Sequence, residues 1–271
     1  MENDWMNRPE GKPLERLLPD GGWTSIFRTI GCVGDSLASG EFEGTDAQGS
    51  KTYHDVYEES WGQYMARIAG VRVYNFSRGG MTAKAYMESF ADDKGFWNRD
   101  LACKAYIVAL GANDLRQVAQ GEQEFGELSD IDESDWRNNR HTFLGYYAAI
   151  VQRYHEIAPH AFFFLMTMPR LGADDARAEL RDRHREALYR LAERFPNTFV
   201  LDFRQYAPVY DKDFYKTFGL GGHLNSMGYL LTARMVVSYI DYIVRSDLPR
   251  FARVGCINTP WENEFWQPGE R

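Results

Sequence analysis

The fold class this sequence predicts is α/β: a three-layer αβα sandwich around a central five-stranded parallel sheet. Two observations predict it. Five short apolar runs alternate with longer stretches of helical periodicity, the signature of βαβ units. The first run also ends in a glycine turn, Gly34-Asp35-Ser36, that presents a serine where a helix begins. A chain of 271 residues could hold one large domain or two small ones. No repeat or low-complexity linker interrupts it, so a single domain over 1–271 is expected, with a core at about 28–245 and an aromatic-rich tail at 246–271.

In chain order, the strands expected are Ile26–Val33, Val71–Asn75, Ala105–Leu110, Ala161–Met168 and Thr198–Phe203. The helices are Trp61–Ala69, about Asp135–Ala158, Asp174–Phe195 and Asn225–Arg245. Within the third helix Leu180, Ala187, Leu188 and Leu191 recur at helical spacing, which lays one face on the sheet; its many Arg, Asp and Glu residues read as a solvated face. Two polar segments fall outside this pattern, Glu41–Ser60 and Gln117–Ser134. Both leave the carboxyl ends of strands, where open α/β sheets bind ligands, and are expected to wall a cleft.

Composition narrows the function. Thirty-one Lys and Arg against 39 Asp and Glu give a net charge of −8, which argues against nucleic acid or an anionic membrane as partner. No apolar run approaches the ~18 residues that span a bilayer. The start, Met1-Glu2-Asn3-Asp4-Trp5-Met6-Asn7, has no apolar signal core, so a cytoplasmic location is expected. Cys32, Cys103 and Cys256 are odd in number and lack metal-ligand spacing; Cys32 and Cys103 are expected as buried thiols, and no disulfide, metal or cofactor is expected. The tail carries Trp261, Phe265 and Trp266, aromatics expected to pack on this domain or on a second copy in a homo-oligomer.

Four motifs stand in order along the chain: Gly34-Asp35-Ser36-Leu37, then Asn75-Phe76-Ser77-Arg78-Gly79-Gly80-Met81-Thr82, then Gly111-Ala112-Asn113-Asp114, and finally Gly222-His223-Leu224-Asn225-Ser226. As an ordered set they resemble the SGNH (GDSL-type) esterase and lipase family, over roughly residues 28–245. The resemblance implies a flavodoxin-like strand order 2-1-3-4-5. Ser36 after the first strand and Asn113 after the third would then flank the topological switch point and converge on one crevice. It also implies a serine esterase working through an acyl-enzyme, with Ser36 as nucleophile and His223 as its base. The oxyanion donors implied are the Ser36 N–H, the Gly80 N–H and the Asn113 side chain; Gly80 is preferred over Gly79 because Gly80-Met81-Thr82 keeps the family's spacing. Asp35 and Asp114 read as turn-bracing residues. His54 is a weaker candidate for a substrate contact, and His141, His155, His160 and His184 read as surface residues.

The chain departs from the family at one position. Where an aspartate usually stands three residues before the histidine, this chain has Leu220. The imidazole therefore needs another orienter. A backbone carbonyl freed by Gly221-Gly222 is the first expectation; Asp213 and Asp211, ten and twelve residues upstream, are the others.

The substrate expected is a short-chain ester, acetyl foremost, on a carbohydrate or other small molecule. A lipase, a thioesterase or an acyltransferase would use the same serine, and Leu220 also admits a catalytically weak binding protein. An α/β-hydrolase elbow fits less well, since Gly34-Asp35-Ser36-Leu37-Ala38 misses its last glycine and its serine normally follows several strands. A nucleotide-binding module is excluded because neither phosphate-binding glycine motif occurs.

Overall fold

The computed structural model describes residues 11–173 and 175–259. The chain opens with a 3₁₀ turn, Gly22–Phe27, and enters the sheet at β1, Thr29–Gly34. The first strand thus begins three residues later than expected. Phe27 sits fully buried in the 3₁₀ turn, so its apolar character serves packing ahead of the strand.

Helix α1 (Ser36–Ser39) is a single turn, followed by an antiparallel hairpin of β2 (Glu41–Thr45) and β3 (Lys51–Asp55). Helix α2 (Trp61–Ala69) leads to β4 (Arg72–Ser77), then two short turns, α3 (Ala83–Ala85) and α4 (Ala91–Asp93). Strand β5 (Ala105–Ala109) is followed by α5 (Ala112–Gln120) and α6 (Phe143–Ile157). The expected helix from Asp135 starts at Phe143, because Thr142 accepts the Gly145 N–H as an N-cap while Trp136–Asn138 form a separate 3₁₀ turn. Strand β6 (Phe162–Met166), α7 (Ala178–Arg194), β7 (Thr198–Leu201), α8 (Phe203–Tyr206) and α9 (Lys212–Phe218) follow. A small hairpin of β8 (Gly219–Leu220) and β9 (His223–Leu224) then delivers the chain to α10 (Ser226–Ser246).

The main sheet is parallel, in the order β4-β1-β5-β6-β7. Counting only its own strands, this is the expected order 2-1-3-4-5. Alternation along the strands divides the core in two. Tyr106, Val108, Phe163 and Leu165 point to the layer of α6 and α7, while Ala105, Ile107, Phe162 and Phe164 point to the layer of α2 and α10. Parallel strands covered on both faces read as continuous apolar runs, which is why they were legible in sequence.

Cys32 and Cys103 are buried, as expected, and burial pushes both thiols up. His184, expected at the surface, is fully buried beneath Phe143 and Tyr147. His155 packs its ring on Phe163 at 4.2 Å. Trp261, Phe265 and Trp266, and with them the expected oligomer contact, lie outside the described residues.

Candidate active site

The site forms where β1 and β5 deliver their C-terminal ends. Asp35 is the N-cap of α1, its carboxylate accepting the Leu37 N–H at 3.1 Å. Ser36 is therefore the first helical residue, where a backbone N–H has no intrahelical acceptor and is free to face negative charge. Beyond β4 the chain turns through Gly80, whose φ of +71° is a left-handed conformation that favours glycine. Beyond β5, Gly111 at φ +136° swings the chain into α5. A Cβ there would stand 2.9 Å from the His184 ring, so the buried histidine and the glycine fix this turn together. Asn113 sits in the first turn of α5, and its Nδ2 donates to the Met81 carbonyl oxygen at 3.1 Å. One Nδ2 hydrogen is left for a ligand.

His223 arrives from the opposite direction on β9, 187 residues after the serine, and its Nε2 lies 3.0 Å from Ser36 Oγ. Its side chain is 16% exposed, open enough to meet a small molecule. Gly80, Asn113, Ser36 and His223 thus come from four separate segments to one end of the sheet.

None of the expected orienters is in reach. Asp211 is spent as the N-cap of α9, accepting the Asp213 and Phe214 N–H groups at 3.0 and 2.9 Å. Asp213 is exposed and pairs with Lys216 at 2.6 Å. Among the described residues no backbone carbonyl accepts from His223 Nδ1 either. Instead, two carboxylates from the β2–β3 hairpin flank the ring. Glu41 Oε1 lies 3.1 Å from Nε2, and Glu43 Oε2 lies 3.8 Å from Nδ1. Burial raises the Glu41 carboxyl above its ordinary value, opposed by the nearby His223. Tyr53 sets its ring edge-on to His223 at 6.0 Å and is 53% exposed.

Both glutamates were missed in sequence. The available signal is the alternation Glu41-Phe42-Glu43. In a strand it puts the two acids on one face, while Phe42 packs on Tyr229 of α10 at 5.5 Å. The first polar segment thus flanks the His223 ring through Glu41 and Glu43. The second packs against α6. Glu124 and Phe125 accept the Phe143 and Leu144 N–H groups at the start of α6, and Phe125 and Ile131 are buried in the core. His54 pairs with Phe42 across the hairpin, on the face opposite Glu41 and Glu43; it is exposed, and its Nε2 lies 3.0 Å from Thr52 Oγ1.

Residues 32–231 match the model of the GDSL-like lipase/acylhydrolase family. The chain belongs to that family. This GDSL-like protein is accordingly a carboxylic ester hydrolase. Its fold is shared by many solved structures, two carbohydrate esterases among them. A family two carbohydrate esterase from Clostridium thermocellum in complex with cellohexaose is 15% identical, with a TM-score of 0.57 over 82% of this chain and 65% of that one. A carbohydrate esterase family 2 enzyme plus carbohydrate binding domain from Corynascus thermopiles (Myceliophthora fergusii) is 18% identical, with a TM-score of 0.52 over 79% and 65%. The GDSL-like chain therefore spans slightly less than two thirds of either protein. No curated protein matches its sequence. Among its described residues, no helix is long and apolar enough to cross a membrane.

Proposed function

We propose that this protein is a serine esterase that hydrolyses short-chain esters, acetyl esters above all, on a carbohydrate or other small molecule. The observation that carries the reading is the 3.0 Å approach of His223 Nε2 to Ser36 Oγ at the head of α1. A serine hydroxyl is a poor nucleophile until a base in hydrogen-bond reach takes its proton.

In the mechanism, Ser36 Oγ attacks the acyl carbonyl carbon as its proton passes to Nε2. The carbonyl oxygen becomes an oxyanion, received by the Ser36 N–H, the Gly80 N–H and the free Nδ2 hydrogen of Asn113. Each such donor contributes about 3 kcal/mol, because it strengthens only as the charge develops. Collapse breaks the ester bond, and the departing alkoxide takes the proton from Nε2. Water then enters, gives a proton to the same nitrogen as its oxygen attacks the acyl carbon, and collapse breaks the bond to Ser36 Oγ, which takes that proton back as the acid leaves.

The saccharide half of the reading is supported by the exposed Tyr53 ring beside His223, a face on which a sugar can stack. It is supported also by the carbohydrate esterases that share the fold, one of them in complex with cellohexaose. A chromogenic series from acetate to decanoate, run beside acetylated saccharides, tests it. Activity is expected to peak at two to four carbons and to extend to the acetylated sugars. A preference for eight carbons or more would overturn the short-chain assignment.

A further inference from the structure

We infer that Glu43 positions the His223 imidazole, filling from the β2–β3 hairpin the role that the family's usual carboxylate fills from just before the histidine. The inference rests on the Ser36–His223 reading above. Four observations support it.

First, Nδ1 of His223 is buried and has no hydrogen-bond partner among the described residues. A buried ring nitrogen left unpaired is costly, and a base with no orienter populates the wrong tautomer. Second, Glu43 is the carboxylate on that side of the ring. Its Oε2 stands 3.8 Å from Nδ1, and its side chain is 9% exposed. Third, the carboxylate is itself held in place. Lys51 Nζ lies 2.6 Å from Oε1, and the Gly222 N–H donates to Oε2 at 2.8 Å. These two partners, Lys51 foremost, hold the carboxyl below its ordinary range, so it stays ionised where the reaction runs. Fourth, the glycine pair makes room for it. A Cβ at Gly221 would stand 2.5 Å from Glu43 Cδ, and one at Gly222 would stand 3.1 Å from Oε2. The Gly221-Gly222 pair is thus explained by the close approach of a carboxylate from another part of the chain.

The separation of 3.8 Å is too long for a hydrogen bond in the free enzyme. Catalytic contacts are often long before substrate binds, and closing this one needs a movement of about 1 Å. The incentive appears with the chemistry. Once Ser36 yields its proton to Nε2, the ring is a cation, and its Nδ1–H gains a charge-assisted partner in Glu43. Glu41 cannot substitute, because it lies on the Nε2 side, beside Ser36.

The test compares Glu43→Ala, Glu43→Gln and Asp213→Asn, assayed on a short-chain chromogenic ester. Loss of an orienting acid costs up to about 10⁴ in kcat. For Glu43→Ala we expect a fall of at least about 10²-fold in kcat with KM within about threefold. Glu43→Gln should recover part of the loss, because its amide oxygen can accept from Nδ1. Added formate should restore Glu43→Ala saturably, an effect that a purely structural role would not produce. Asp213→Asn should behave as wild type. A kcat for Glu43→Ala within about threefold of wild type, or a loss that neither glutamine nor formate reverses, would overturn the inference. A separate measurement uses no substrate. In proton NMR at low pH, wild type should show a downfield Nδ1–H resonance of His223 that vanishes in Glu43→Ala; persistence of the resonance would refute the contact. Failure of the esterase reading is distinguishable, since it appears as absence of turnover and of Ser36 labelling by a serine-directed fluorophosphonate in wild type.

Discussion

Asn113 Nδ2 donates to the Met81 carbonyl oxygen at 3.1 Å, tying the loop after β5 to the loop after β4 across 32 residues. Through this bond the asparagine and the Gly80 turn move as one piece. Two of the three oxyanion donors in the proposed mechanism are therefore preset before substrate arrives, and preorganisation is what makes such donors effective.

Replacing Asn113 by alanine removes one donor and the tie. The expected outcome is a fall in kcat of about 10²–10³-fold with KM nearly unchanged, since the bond strengthens only in the transition state. Steady-state kinetics on an acetyl ester decide it. A raised KM at constant kcat would make Asn113 a ground-state contact instead.

Ser36→Ala removes one oxygen from a half-buried position and should leave the melting temperature close to wild type. Turnover should fall to what the oxyanion donors and binding alone provide, at best about 10³–10⁴ over water. Mass spectrometry of the quenched reaction should show an acyl adduct in wild type and none in the variant. Retention of a tenth of wild-type turnover would be incompatible with a covalent intermediate on this serine.

Gly80→Ala separates backbone conformation from steric room. No atom lies within 4 Å of the Cβ it would add, so nothing is displaced. The strain comes from φ +71°, which costs an alanine about 1–2 kcal/mol. A small loss of stability with a larger loss of kcat, at least about tenfold, is expected as the turn relaxes and its N–H rotates away. Equal kcat in the two proteins would remove the Gly80 N–H from the oxyanion site.

The sheet and the Ser36–His223 pair of the proposed mechanism stand out in the sequence for a physical reason: strands buried on both faces must be apolar throughout, and glycines mark the turns that lead into Ser36 and His223. The orienter was not legible. Its carboxylate comes from a solvent-rimmed hairpin 180 residues before the histidine; alternation puts Glu41 and Glu43 on one face, but only the fold shows that this face meets His223. His184 was hidden differently. It stands four residues from both Leu180 and Leu188, on the apolar face of α7, but the Arg and Asp residues around it made the segment read as solvated. Helical spacing was the better guide there than composition.

Asp114 affects stability in the sense opposite to the usual carboxylate. It is fully buried in α5; Oδ1 accepts the Ala83 N–H at 2.8 Å, and Oδ2 has no partner among the described residues. Burial, with a smaller push from the charge of Asp35, raises its carboxyl from 3.8 to about 7. A carboxyl that titrates higher folded than unfolded holds its proton in the native state after the unfolded chain has lost it. Its stabilising contribution is therefore complete below pH 4, is lost progressively as pH rises from about 4 to about 7, and stays lost above that. Asp35, raised to about 6 by burial, acts in the same sense. His184, which burial lowers to about 4, acts in the other, destabilising the fold as pH drops below 6.5. Asp114→Asn keeps an oxygen for the Ala83 N–H and removes only the titration. Asp35 and His184 remain in both proteins, so the difference between variant and wild type reports Asp114 together with its coupling to Asp35. Its advantage over wild type should be smallest near pH 4 and grow toward pH 8, to a ceiling on the order of 4 kcal/mol, since each pH unit between the unfolded and folded titrations contributes about 1.4 kcal/mol. Urea unfolding of the two proteins at pH 4.5, 6 and 8 measures it. A stability difference that stays flat across that range would mean that Asp114 is already ionised in the folded protein at pH 4.5.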